Sequence, residues 1–312
     1  MNRWLHALFA VAALGVVICL VLLWPSPQGP GPQPPPAPPS GLPPPTGPLP
    51  TGASPSPGTP TCTETPPVRL RVVTFNIHGG VAPGGRYDLA GIAQEIRGWD
   101  ADVVLLQEVH RYRAKSGMDD QPAELARMLG MEVVFGNNFT RSAEGDGAPR
   151  RQSGTATLSR RPILSWSNRM LPNLPGLQQR GLLRATIQVA GRRIDVLNTH
   201  LQHTRGIIRI LQTRGIRELV GRTGHPFLLG GDLNAEPGSP AMRVLDGVVT
   251  DPWPQVGRGD GLTVPPRVPR RRIDYVLHGS GGWVPEQAQV VRSAIADHRA
   301  VLLDYALPRV AC

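Results

Sequence analysis

The chain has 312 residues and a formal net charge of +10, and its three cysteines are too few for a disulfide scaffold or a cysteine-based metal cage. Residues 1–67 hold 19 of the 35 prolines and only two charged side chains, Arg3 and Glu64, so that stretch cannot bury a core. The remaining stretch, about 245 residues, suits one large α/β or sandwich domain and carries the whole +10.

A basic domain suits an anionic partner, such as nucleic acid or an acidic headgroup. Lys115 is the only lysine, so an arginine-favouring composition competes with that reading.

Trp4 to Trp24 is an apolar run without a charge, broken only by His6 and long enough to span a bilayer. Ala10-Val11-Ala12 comes too early for a signal cleavage site, and Ile18 precedes Cys19 where a lipoprotein signal needs a small residue. Residues 1–24 are therefore expected to be an uncleaved single-pass anchor, with a cleaved signal and secretion as the alternative. Arg3 stays inside and everything after Trp24 lies on the extracellular side. Residues 25–67 form a Pro-rich, disordered, polyproline-like spacer that reaches on the order of 100 Å.

The domain proper is expected over 68–312. Val68–Asn76 is an apolar-rich strand, and Asp88–Arg97 has helical spacing, with Leu89, Ile92, Ala93 and Ile96 on one face. Asp102–Glu108 is a buried strand, and Pro122–Leu129 a short helix. Ser153–Ser159 is a strand, and Leu182–Thr199 a hairpin turning at Gly191. Ile207–Val220 is a helix. Phe227–Gly231, Ile273–His278, Gln287–Arg292 and Ala300–Tyr305 are strands. Arg111–Gln121 and Arg141–Gln152 are loops. Helices lie between more numerous strands, which predicts two packed sheets flanked by helices, with chemistry at the strand ends.

Five patches carry that chemistry. Asn76 ends the first strand before Gly79-Gly80, where turn formation is the ordinary explanation. Glu108 follows four apolar residues and Gln107; a carboxylate there is costly unless paired or bound to a cation. Asn198-Thr199-His200-Leu201-Gln202-His203 offers two imidazoles, of which His200, at the strand end, is the better placed. Gly230-Gly231-Asp232-Leu233-Asn234 puts two polar side chains on one side if the chain stays extended. Asp232 could orient or deprotonate a water, and Asn234 could donate to a phosphoryl oxygen. Finally, Asp297-His298 could place a metal ligand beside an acid/base imidazole, with Asp274 fixing that ring.

The order Asn, Glu, His, Asp-x-Asn, Asp, Asp-His resembles the endonuclease/exonuclease/phosphatase superfamily, over about residues 68–307. Gly154-Thr155-Ala156-Thr157-Leu158-Ser159-Arg160 and Gln179-Arg180-Gly181-Leu182-Leu183 resemble further segments of it. Asp251-Pro252-Trp253, Thr263 and Arg272-Ile273-Asp274-Tyr275 do so too. Thr155 departs from the pattern, since many members have Asn there.

The resemblance implies a four-layer α/β sandwich and a metal-dependent phosphoesterase. Glu108 is then the principal ligand of Mg²⁺, with Mn²⁺ a possible substitute, and Asn76 and Asp297 lie near the ion. Asp232 positions or activates the water. Asn76, Asn234, Arg180 and His200 hold the substrate phosphate. His298, oriented by Asp274, and His200 stabilise the phosphoryl charge and protonate the leaving oxygen.

The substrate expected is DNA or RNA, supported by Arg141, Arg150, Arg151 and Arg270-Arg271-Arg272. A phospholipid or small phosphodiester is the alternative, and an inactive binding module the least favoured reading. No protein partner is implied, and a monomer is expected. The superfamily pattern makes the first and last strands neighbours, which brings Cys62 and Cys312 within reach of a disulfide on the side of the membrane where such bonds persist.

Overall fold

The computed structural model describes residues 67–143 and 147–307. The anchor expected over 1–24, most of the spacer, and both Cys62 and Cys312 lie outside the described residues. Among the described residues, no helix is long and apolar enough to cross a membrane.

In chain order the strands are β1 (Val68–Asn76), β2 (Val103–Arg111), β3 (Glu132–Arg141), β4 (Arg151–Ser159), β5 (Ile163–Met170), β6 (Gly181–Val189), β7 (Arg192–His200), β8 (Phe227–Asp232), β9 (Asp274–His278), β10 (Val284–Val291) and β11 (Ala300–Leu307). The helices are α1 (Leu89–Gly98), α2 (Gln121–Leu129), α3 (Gly206–Val220), α4 (Pro240–Arg243) and α5 (Trp253–Val256). One sheet runs β10-β11-β1-β2-β4-β3 and the other β5-β6-β7-β8-β9. Both are mixed: β1–β2 and β7–β8 are parallel, and the other pairings are antiparallel.

Side-chain alternation along the strands sets the layers. On β1, Leu70 and Val72 face the second sheet and pack with Val196, Leu228 and Val276. Val73 and Phe75 face the other way, onto Ile92 and Ile96 of α1 and Leu125 of α2. The outer face of the second sheet, with Leu197, Leu229 and Leu277, is covered by Ile216 and Val220 of α3. The result is helix, sheet, sheet, helix, as expected from the sequence.

Two strands were not expected, β3 and β5. Each is the outermost strand of its sheet. An edge strand needs no continuous apolar run, and β5 leaves Leu164, Trp166 and Met170 exposed. The loop expected over Arg141–Gln152 is shorter, because Arg141 ends β3 and pairs in register with Arg151 at the start of β4.

Near the end of the chain, Asp304 ties β11 to β1. Its carboxylate accepts from Arg71 Nε at 2.7 Å and Arg69 Nη2 at 2.6 Å. Burial alone would raise the Asp304 pKa, but the two guanidinium groups outweigh it and hold the carboxyl below its usual range. The depressed folded-state pKa means that this stabilisation is present above the unfolded value of about 4 and lost as pH falls through the folded one. Asp304→Asn should therefore cost about 2 kcal/mol at pH 7. In urea melts the gap between variant and parent should close toward pH 3. An undiminished gap at acid pH would show that packing, not the ion pairs, holds the ends together.

Candidate active site

The site lies where strand ends from the two sheets converge, above a buried amide clip. Gln107 Nε2 donates to Asn198 Oδ1 at 2.8 Å, and Asn198 Nδ2 donates to the carbonyls of Leu106 (3.1 Å) and Ala156 (2.8 Å). This network spans the two sheets, and its unpaired alternative would be expensive in so dry a place. Glu108 follows Gln107 directly, and His200 comes two residues after Asn198, so the clip fixes both neighbours. The sequence reading passed over Gln107 and Asn198 as site supports. The available signal was two amides inside otherwise apolar strands.

Glu108 sits at an irregularity of β2, where the pairing with β4 shifts between Leu106 and Val109, and its φ is +53°. A bulge of this kind re-aims a side chain, and a strained backbone held this firmly is characteristic of functional positions. Asn76, at the end of β1, donates from Nδ2 to Glu108 Oε1 at 3.3 Å and to Asp232 Oδ2 at 3.1 Å. Asn76 Oδ1 accepts from the His78 backbone N–H at 3.1 Å.

Asp232 is the hub. It ends β8, opposite His200 on one side and Asp274 on the other. Gly231, with φ +142°, lets β8 lie so close to β7 that any Cβ would strike the Thr199 carbonyl. Asp232 Oδ1 accepts from the Asn234 backbone N–H at 2.9 Å. The Nε2 atoms of His200 and His298 lie 3.5 and 3.7 Å from Asp232 Oδ2.

The chain does not stay extended past Asp232, so the condition for Asp232 and Asn234 to share one side is not met. Asn234 is left-handed (φ +49°), and its Nδ2 donates to the Leu201 carbonyl at 3.0 Å. A turn closed by the Asp232 carboxylate won over strand continuation.

Partners fix the two imidazoles. Arg180 Nη1 lies 3.2 Å from His200 Nδ1. A guanidinium can only donate, so Nδ1 accepts and the neutral ring carries its proton on Nε2. Burial first, then the charges of Arg180 and His298, holds His200 well below its ordinary pKa. His298 is opposite in character. Its Nδ1 lies 2.9 and 3.1 Å from the two oxygens of Asp274. Burial opposes its charge, but Asp274 above all, with Asp232 and Asp297, outweighs burial and raises His298 to about 10. Burial, and then the Asp274 charge, raises Asp232 to about 7. Asn76 Nδ2 and both Nε2–H groups thus converge on one point, a cage for an oxygen that carries negative charge.

Ligand atoms of Asp232, Asp274 and His298 all lie within 4.8 Å of one another, a group that could hold a metal. Both oxygens of Asp274 already receive His298 Nδ1, however, which makes the trio a carboxylate–imidazole–carboxylate relay. Glu108 and Asp297 are the other candidate cation ligands. Asp297 Oδ1 is buried without a hydrogen-bond partner. Glu108 and Asp297 offer oxygen, the donor type of a hard divalent ion, whereas Asn76 turns its Nδ2 to Glu108 and its Oδ1 to the His78 N–H.

Other expected residues fall elsewhere. His203 is exposed. Arg272 is not available to a substrate, because it pairs with Asp251 at 2.5 Å and lies over the rings of Trp253 and Tyr275. Arg271 pairs with Glu236 at 2.8 Å. The run Arg270-Arg271-Arg272 is therefore largely structural. Arg180 is 5% exposed and lies beside His200.

Donors gathered around the Asp232 carboxylate, beside Glu108, suit hydrolysis of a phosphoester. The Endonuclease/Exonuclease/phosphatase family model matches residues 73–298, and the chain belongs to that family. Among solved structures, an endonuclease/exonuclease/phosphatase from Beutenbergia cavernae DSM 12333 is similar, at 30% identity and a TM-score of 0.64 over 77% of this chain and 72% of that one. The mannosyl-6-phosphatase Bt3783 of Bacteroides thetaiotaomicron VPI-5482 shares the fold at 16% identity and a TM-score of 0.62, over 76% of this chain and 100% of that one. A humanized D. rerio TDP2 shares it at 19% identity and a TM-score of 0.58, over 76% of this chain and 98% of that one. No curated protein matches the chain.

Proposed function

We propose that this protein is a divalent-metal-dependent phosphodiesterase that acts outside the cytoplasm, with nucleic acid as its substrate. The observation that carries the chemistry is the convergence of Asn76, His200 and His298 on Asp232 Oδ2. A phosphoryl oxygen bound beside Asp232 comes within reach of the same donors, so little reorganisation accompanies the reaction.

Glu108 and Asp297 would hold a divalent ion, which when bound would supply positive charge against the phosphoryl oxygens. The chain's own groups do the rest. Asp232, whose raised pKa suits a base near neutrality, aligns a water and takes its proton as the new O–P bond forms. His200, neutral and donating from Nε2, and charged His298 stabilise the equatorial oxygens. The bond to the leaving group breaks as charged His298 gives its Nε2 proton to the departing oxygen and becomes neutral. Asp274 keeps the His298 ring in register throughout.

The solved neighbours named above include both a sugar phosphatase and TDP2, so the fold alone does not choose the substrate. The +10 charge supports a polyanion. Arg141, Arg150 and Arg151, around the β3–β4 turn, are the candidate contacts, with the apolar run at 1–24 as the tether. A phospholipid substrate draws support from Leu164, Trp166 and Met170, which are 45–55% exposed on β5.

Salt separates the two readings. Three phosphate contacts imply a loss of roughly 20- to 40-fold in affinity between 50 and 200 mM salt. Oligonucleotide binding should show that slope, measured beside hydrolysis of plasmid DNA, RNA, sphingomyelin and phosphoinositides. Flat salt dependence together with lipid turnover would reject the nuclease reading.

A further inference from the structure

Charge on this protein is not spread evenly. Residues 160–217 hold 11 arginines and one acidic residue, Asp195, whereas the rest of the chain is balanced, with 22 basic and 22 acidic side chains. The whole +10 therefore belongs to one stretch. That stretch forms one side of the domain. β5, β6 and β7 are consecutive strands of the second sheet. The segment after β5 packs on α3, where Gln212 Nε2 donates to the Pro172 carbonyl at 3.2 Å and a Cβ on Gly215 would press on the Pro172 ring.

Asp195 adds nothing to the surface. It is 0% exposed, and its carboxylate is held by Arg184 Nη2 at 2.6 Å and Thr186 Oγ1 at 2.7 Å. Arg160 and Arg161 pair with Asp100 and Asp102. By contrast, the guanidinium groups of Arg169, Arg192, Arg193, Arg205 and Arg214 have no ion-pair or hydrogen-bond partner among the described residues.

The same side carries five of the eight exposed large apolar side chains found among the described residues. Leu164, Trp166 and Met170 on β5, Leu174 in the segment after it and Ile207 at the start of α3 are 41–62% exposed. Unpaired arginines among aliphatic side chains and a tryptophan suit a partner that is anionic at its surface and apolar beneath. Nucleic acid meets only half of that description, because bases stack on aromatic rings and four of these five side chains are aliphatic. A second copy of the chain would set like charge against like.

We propose that the β5–α3 side docks on an anionic phospholipid bilayer. The tether proposed above brings the domain near such a surface but does not choose the side that meets it; these side chains do. β5 is the outermost strand, and β7 and β8, which carry His200 and Asp232, lie two and three strands further in. At about 4.8 Å per strand, the catalytic centre then stands roughly 10–14 Å from the docked edge, beside the lipid rather than in it. Docking of this kind goes beyond the proposed activity and holds whichever phosphodiester is cut.

Tryptophan quenching tests it. The full chain is reconstituted into phosphatidylcholine vesicles with brominated acyl chains, with or without phosphatidylglycerol. The Trp166 signal is the difference between the parent and Trp166→Phe, which cancels the other five tryptophans. It should be quenched in the anionic vesicles, unquenched in the neutral ones, and recover in about 0.5 M salt. Arg169→Gln and Arg193→Gln should each lower the docked-to-free ratio about fivefold. Both alter exposed, unpartnered side chains, so the fold and the turnover of a soluble diester should stay unchanged.

Trp166 quenched alike in both vesicle types, or quenched regardless of both arginines, would overturn the proposal, because tethering alone then explains the contact. Trp166 unquenched in either vesicle type would overturn it as well. If, in that case, oligonucleotide binding is weakened by both arginine substitutions, this side is a nucleic-acid surface instead.

Discussion

Glu108→Gln should leave a folded protein whose phosphodiesterase activity is lower by about 10³-fold or more. The substitution keeps shape and one acceptor: the side-chain oxygen of Gln can still take the Asn76 Nδ2 bond that Oε1 takes at 3.3 Å. It removes only the charge. In the ligand-free protein that charge is a burden, because Glu108 and Asp232 share the same Asn76 amide. The variant should therefore be at least as stable as the parent in EDTA. Adding Mg²⁺ should raise the Tm of the parent by mass action and leave that of the variant nearly unmoved. EDTA should abolish the parent's activity, and Mg²⁺ should restore it. Full activity of Glu108→Gln in metal-free buffer would end the assignment. A Mg²⁺-induced Tm shift retained in the variant would move the ion to other ligands.

Much of this site could be read before any coordinates, for a physical reason. Glu108, His200 and Asp232 end or nearly end buried strands, where a polar side chain is conspicuous against an apolar run. Asp274 and His298 come at or just before the start of such strands. The scaffold was legible for the same reason: β1, β2 and β8 have interiors too apolar to be anything but buried, and α1 shows an apolar stripe. What could not be read lay at the edges and in pairings distant in sequence. β3 and β5 bury too little to leave a periodic signal. Nothing local to Arg272 shows that Asp251 and two rings hold it, and it looked like surface charge. Gln107 and Asn198 are 91 residues apart, and only the packing of the two sheets makes them one clip. The sequence left extension and a turn at Asn234 both open, because the acceptor that closes the turn is a side chain, that of Asp232.

His298 and Asp274 should lose function as one unit. His298→Ala removes an imidazole aimed at the oxyanion position, and general acid–base groups of this kind are worth about 10²- to 10⁴-fold. Asp274→Ala leaves the imidazole in place but takes away the acceptor that meets Nδ1 at 2.9 Å and the main source of its raised pKa. A ring without that partner can rotate, lose its charge or adopt the wrong tautomer, and in comparable carboxylate–imidazole pairs the loss approaches that of removing the ring itself. If each single variant falls by about 10³-fold, the double variant should fall little further, far short of the roughly 10⁶-fold that independent roles would give. Structural damage alone could also lower activity, so a second readout is needed. In Asp274→Asn the downfield Nδ1 proton resonance of His298 should vanish while the urea midpoint stays within the range of a single lost hydrogen bond. Losses that multiply strictly in the double variant, or an unchanged His298 resonance in Asp274→Asn, would show that Asp274 acts on the substrate side by itself rather than through the ring.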